Sequence, residues 1–170
     1  MTDLGGLTIT KVCAVEARDV PFSVGFVPPW SPSQTITTRD YIIVRIETDA
    51  GIFGLSMDGE YTPYGIPATA DQVERLVAPY LVGRRVADME AHSAFLHSIG
   101  HMGRFFFVAV ALWDILGKAK ETPMAKLFGA HQDRVPLYST GSTYPERGPE
   151  WHGAFFDRAL ELGFLGVNFR

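Results

Sequence analysis

Few residues of this chain stand at spacings that chemistry would need. Asn168 and Arg170 lie two apart in an apolar stretch that reads as a strand, so they point to one face. In a parallel barrel, polar side chains at the C-terminal end of a strand line the active site. On spacing alone this pair is a weak signal. His97 and His101 are four apart, as two ligands on one helix face would be, but Gly100 interrupts the helix and no third ligand is apparent. His92, His131 and His152 are isolated and read as surface or partly buried structural groups. Asp88 and Glu90 stand near a helix start, and Asp157 and Glu161 on a helix surface, as dipole partners and solvated charges. No metal-binding set of carboxylates can be assembled from them. Asp114 sits beside Trp113 inside the most apolar run of the chain, and a buried carboxylate needs partners. It reads as a tie between the helix and a nearby backbone group or cation, with a catalytic role as the alternative. P-loop, GxGxxG, CxxC, HExxH and GxSxG patterns are all absent.

Binding rather than bond-making is suggested by residues 19–38, DVPFSVGFVPPWSPSQTITT. Their prolines, glycine and hydroxyl residues predict a long loop, and a loop of that length in a compact domain is usually functional or disordered. Phe22, Phe26 and Trp30 within it either form a lid over something apolar or amphipathic, or tuck onto their own domain. A second loop is predicted at residues 58–67, DGEYTPYGIP, with Glu60, Tyr61 and Tyr64.

The elements around these loops follow from periodicity. Residues 7–18, 39–48 and 52–57 predict three strands, the last two joined by a turn at Asp49, Ala50 and Gly51. Thr69 and Gln72 fit a capping box, after which Val73, Leu76, Val77, Tyr80 and Leu81 recur at helical spacing. A second helix opens at Asp88, with Ala91, Phe95, Leu96 and Ile99 on one face. The third covers the run from Phe105, apolar nearly all round and therefore buried on several sides. A short turn begins at Pro123 and stops at Gly129. Strands followed by helices predict an α+β domain, a three-stranded antiparallel meander with a helical bundle on one face. From about residue 130 the pattern becomes strand (134–138), loop, helix (154–162) and strand (164–170), a parallel βαβ unit. Such a pair cannot stand alone, so the sequence reads as cut off part-way into a larger α/β fold.

The bulk numbers restrict the partners. With 170 residues, 46% hydrophobic, 20% charged and a net charge of -4, the composition is that of a globular protein without an electrostatic case for nucleic acid. Charged residues interrupt the central apolar run before the ~20 positions a bilayer span needs. The first ten residues lack the pattern of a signal peptide, which leaves the cytoplasm as the default. Cys13, the single cysteine, cannot form an internal disulfide and reads as a buried, inert thiol.

Residues 111–130, ALWDILGKAKETPMAKLFGA, resemble the segment that closes the N-terminal capping domain of the enolase superfamily, in its mandelate racemase and muconate lactonizing enzyme group. IIVRIETDAGIFG (42–54) resembles that group's hairpin, RVPLYSTG (134–141) its first barrel strand, and ELGFLGVNFR (161–170) the end of its first barrel helix and its second strand. The resemblance implies a capping domain over residues 1–130 and, over 131–170, the first strand–helix–strand of an incomplete TIM-like barrel. It implies that the two aromatic loops, 21–34 and 60–67, close on substrate, making Phe22, Phe26, Trp30, Glu60, Tyr61 and Tyr64 substrate-binding residues. In the family a divalent metal, usually Mg2+, binds a substrate carboxylate, and a base removes the neighbouring proton to give a metal-stabilised enediolate. The metal ligands come from later barrel strands, so this chain is expected to hold none and to be inactive alone.

Many members carry Lys-x-Lys where this chain has Asn168, Phe169 and Arg170. Arginine is a poor base. Arg170, with Asn168, would instead hold a carboxylate or enediolate oxygen, which favours dehydration of a sugar acid over two-base racemisation. The expected partners are a small carboxylate substrate and further copies of the chain, with no nucleic acid or membrane. The alternative is a non-catalytic binding or assembly module built on the cap, or a small-molecule binder using the two aromatic loops.

Overall fold

The computed structural model describes residues 6–28, 31, 33–61, 66, 68–100, 103–142 and 148–169. It groups them into two compact units, Met1–Ser23 with Thr37–Ala130, and Val24–Ile36 with His131–Arg170.

The three-stranded meander is present, in the order β1 (Ile9–Phe26), β2 (Ile36–Thr48) and β3 (Phe53–Tyr61). Its hairpin turns where expected. Gly51 takes φ +75, and the Thr48 and Ile52 backbones close the turn at 3.0 Å. The strands are longer than the sequence predicts. Residues 20–26 continue β1, where a loop was expected; β1 is a sheet edge, the place where a strand tolerates a proline such as Pro21. Residues 58–61 likewise continue β3, in register with Arg39, Asp40, Tyr41 and Ile42. Gly59, which reads as a turn residue, is there because the Tyr41 ring lies where its Cβ would be.

The inner face of the sheet presents Ile42, Val44 and Ile46, all fully buried. Helix α1 comprises Ala70–Gln72, a π-helical stretch Val73–Val77, and Ala78–Leu81. Its predicted capping box forms: Thr69 Oγ1 accepts the Gln72 N–H at 3.2 Å, and Gln72 Oε1 accepts the Thr69 N–H at 3.1 Å. The π turn, closed by the Ala78 N–H on the Val73 carbonyl, changes which residues share a face. Val73, Val77 and Leu81 stay buried at a spacing of four, while Leu76, predicted with them, is exposed. On α2 (Met89–Ile99) the buried residues are Met89, His92 and Leu96, with Phe95 and Ile99 partly buried against the core.

Helix α3 (Phe106–Ala119) crosses β3 and supplies the largest share of the core: Phe107, Val108, Ala111, Leu112 and Ile115 have no exposure. Phe105, just before it, is also buried. Phe106 is exposed, so α3 is covered over one broad face rather than all round. Trp113, half-buried, packs edge-on against Phe128, beyond the short helix α4 (Met124–Leu127). The contact with β3 is close because Gly54 has no side chain; a Cβ there would fall on the Ala111 carbonyl oxygen, with Ile115 Cγ1 at 2.8 Å.

Asp114 is half-buried rather than buried, its side chain 31% exposed. It makes the predicted tie to backbone and cation. Its Oδ2 accepts the Leu55 N–H at 2.9 Å and the Lys118 ammonium at 2.6 Å, and Lys118 Nζ also donates to the Phe53 carbonyl at 2.8 Å. Both backbone groups belong to β3, the other edge of the sheet.

In the second unit, β4 (Ser139–Ser142) and β5 (Val167–Phe169) pair in parallel, with Ser139 opposite Val167 and Thr140 opposite Asn168. The helix between them, α5, runs Pro149–Glu161. It starts earlier than the sequence predicts, with Pro149 in its first turn, where the missing N–H costs nothing. It ends as expected: Gly163 at φ +87 lets its own N–H reach the Leu160 carbonyl and that of Phe164 reach Ala159, at 2.9 and 3.1 Å. The first barrel strand was predicted at residues 134–138 and lies instead at 139–142, since Pro136 has no N–H to give a ladder. The second is shorter than predicted, with the Leu165 N–H bonded to the Leu137 carbonyl just before it. Among the described residues no helix is long and apolar enough to cross a membrane.

The fit of α3 on β3 predicts that Gly54→Ala is severe. The clash is with backbone, which cannot rotate away, so the cost falls at or above the upper end of the ~1–3 kcal/mol usual for overpacking. At this chain length that lowers the midpoint of thermal unfolding by roughly 6–12 °C, which scanning calorimetry measures.

Candidate functional site

Three of the six predicted substrate-binding residues, Phe22, Glu60 and Tyr61, come to one end of the first sheet. Phe22 is half-buried near the C-terminal end of β1. Glu60, half-buried, is near the C-terminal end of β3, opposite Asp40 at the start of β2. Tyr61 closes β3 opposite Arg39. Phe26, half-buried, ends β1 and groups with the second unit. Phe22, Phe26, Glu60 and Tyr61 thus stand on strands, where loops were expected, because cross-strand pairing outweighs the turn-like composition around them. Trp30, Tyr64 and Arg170 lie outside the described residues. Asn168 is half-buried on β5, in the second unit.

The same sheet end holds a charge cluster that sequence reading missed. Glu16 and Arg18 are two apart on β1, so their side chains share a face. Arg18 Nη2 and Nε donate to Glu16 Oε2 at 2.6 and 3.1 Å, and its Nη1 donates to Asp40 Oδ2 at 2.9 Å. Asp40 is only 4% exposed, and its other oxygen accepts the Asp19 N–H at 2.8 Å. Glu16 Oε1 accepts the N–H of Ala70, the first residue of α1, at 2.8 Å. That bond, together with the Arg18 guanidinium, holds the Glu16 carboxyl below its ordinary range. The signal in the sequence was the opposite-charge pair at strand spacing; Asp40, ahead of a run of apolar residues, carried none.

Among the described residues the histidines belong to no cluster of metal-ligating groups. His92 is fully buried, with Nε2 2.8 Å from the Arg85 carbonyl and its ring edge-on to Tyr80. His97 is exposed, and His101 lies outside the described residues. Among the described residues no group of three or more His, Cys, Asp or Glu is placed to hold a metal ion. Glu16, Asp40 and Asp114 are each already engaged by a cation and a backbone amide. The described residues therefore do not fit a divalent-metal site.

A three-stranded meander covered by helices, followed by a parallel strand–helix–strand, is the architecture of an enolase-type cap leading into a barrel. Residues 13–129 match the mandelate racemase / muconate lactonizing enzyme N-terminal domain, and the chain belongs to that family. A D-galactonate dehydratase family member from Streptomyces bingchenggensis is 33% identical over 139 residues, 76% of this chain and 32% of its own length. L-talarate/galactarate dehydratase from Salmonella typhimurium, solved with Mg and L-lyxarohydroxamate, superposes over the whole chain with a TM-score of 0.77 at 21% identity. A racemase from Streptomyces coelicolor, solved with bound magnesium, superposes over 94% of the chain with a TM-score of 0.74 at 27% identity. The chain spans 46% and 45% of those two structures, so it matches less than half of each protein.

The Glu16 bonds set a pH dependence. A carboxyl whose pKa is lower in the folded than in the unfolded chain stabilises the fold fully above its ordinary value of 4.5, and this contribution is lost as pH falls through the folded value. In urea unfolding between pH 7 and pH 3, the stability gap between the native chain and Glu16→Gln is expected to be widest near neutrality and to shrink at the acid end.

Proposed function

We propose that residues 1–130 are the capping domain, and residues 131–170 the opening strand–helix–strand of the barrel, of an enzyme that dehydrates a sugar acid after removing the proton next to its carboxylate. The observation that carries this reading is the 33% identity to a D-galactonate dehydratase family member over 139 residues, 76% of this chain. Phe22, Phe26, Trp30, Glu60, Tyr61 and Tyr64 contact the substrate from the cap side. Asn168 and Arg170 hold its carboxylate from the barrel, Arg170 as a fixed cation whose planar fork matches two carboxylate oxygens. The reaction uses magnesium, as the magnesium-bound racemase structure suggests. Its ligands and the general base come from residues beyond those described, consistent with the share of the relatives that the chain spans. The working enzyme is cytoplasmic and self-associates.

Racemisation is the second reading, favoured by the same racemase structure. Arg170 weighs against it, because a two-base exchange needs a group that can lose its proton, and a guanidinium does not at neutral pH.

Two assays separate these readings. The 170-residue chain, incubated with Mg2+ and a panel of sugar acids, is expected to show no turnover. The same chain, joined to the remaining two-thirds of the Streptomyces bingchenggensis relative in place of that protein's own first third, is expected to form a keto-acid with loss of water. Arg170→Ala in that hybrid is expected to lower kcat/KM about 10–100-fold, the worth of a charge-assisted hydrogen bond. A folded hybrid that inverts configuration without losing water would overturn the dehydratase reading, and one that binds sugar acids without turning them over would favour a binding module.

A further inference from the structure

Each carboxylate in the Glu16, Arg18 and Asp40 cluster also holds a backbone amide, and the two amides come from distant parts of the chain. Asp40 holds the N–H of Asp19, which takes φ +53 immediately before the stretch of β1 that carries Phe22. Aspartate is one of the few residues that adopts this left-handed conformation without large cost. Glu16 holds the N–H of Ala70, where α1 begins after the stretch that starts at Glu60. Arg18 is bonded to the remaining oxygen of both carboxylates. All five residues belong to the first unit.

We infer that Arg18 is a positioning residue, a single guanidinium that holds the roots of the two substrate-contacting stretches in fixed register. This rests on the reading of those stretches as the substrate-contacting part of the cap. A lysine could not do the same work as well, because an ammonium is a point charge, whereas the guanidinium presents separate N–H groups to two acceptors. Arg18 is 43% exposed, so its pairing adds little to overall stability. Its effect is local. Glu16 and Asp40 carry like charges and are held close by the cation between them; without it they repel, and each pulls on the amide it holds.

Hydrogen exchange followed by NMR on the 170-residue chain tests the clamp directly. Arg18→Met keeps the length of the stem and removes the charge. It is expected to speed exchange at the Asp19 and Ala70 amides together by about tenfold, while those of Ile42, Val44 and Ile46 in the core keep their rates. Arg18→Lys is expected to restore part of the protection at both roots. Faster exchange at one root only, at neither, or uniformly across the sheet would overturn the clamp. In the active hybrid, Arg18→Met is expected to raise KM about tenfold with kcat little changed; an unchanged KM would overturn the positioning role even if both amides loosen. The exchange measurement needs no substrate, so its failure leaves the dehydratase reading standing, and an inactive hybrid leaves the clamp standing.

Discussion

The contact on which the first unit depends is the crossing of α3 over β3. It combines an absence with a pair of charges. Gly54 lets the helix backbone come down onto the strand at Ala111. One and two helical turns on, Asp114 and Lys118 reach over the strand's outer edge and occupy the Leu55 N–H and the Phe53 carbonyl. An exposed sheet edge is a template for pairing with another chain, and here two side chains of the covering helix fill part of it. The charged pair is partly exposed, so its Coulombic contribution is small. What it contributes is registration: the helix cannot slide along β3 without breaking a backbone bond at each of its two anchors.

The segment most telling of family is built around that contact. In residues 111–130 the small Ala111, the carboxylate of Asp114 and the ammonium of Lys118 all face the same strand. Their types and spacing are dictated by packing geometry. Trp113, the conspicuous aromatic, packs on Phe128.

Much of the fold was legible because it rests on local rules. The Thr69 and Gln72 capping box, the glycine turn at Gly51 and the helix end at Gly163 each involve residues within a few positions of one another. What escaped was set by distant partners. Pro21 and Gly59 have the composition of loops, yet they sit in strands because β2 runs beside them and, for Gly59, because the Tyr41 ring needs the space. Leu76 has the right period for an α-helix and is exposed because a π turn shifts the phase. The candidate site was legible in part. Phe22 and Glu60 come to one sheet end, but no local pattern marks Asp40, whose importance depends on a β1 cation 22 positions away.

The two ends of the first sheet are built on different principles, and the difference bears on function. The hairpin end is closed mostly by backbone: the Asp49 N–H donates to the Thr8 carbonyl at 3.0 Å while Asp49 Oδ1 accepts the Thr8 N–H at 3.0 Å, and the Ile9 N–H at the start of β1 donates to the Arg84 carbonyl after α1 at 2.9 Å. Such a network has one arrangement, and little short of unfolding changes it. The opposite end is held by side chains, a guanidinium between two carboxylates, each of which carries a backbone amide. Bonds of this kind add little to overall stability, since the half-exposed Arg18 has water as a competing partner, but they fix where the two amides sit. Backbone closure keeps the core in one arrangement, and the ionic closure ties the root of the stretch that carries Phe22 to the start of α1. The ionic cluster lies at the end that carries Phe22 and Glu60, away from the Gly54 contact that seats α3, so the two closures act on the sheet independently.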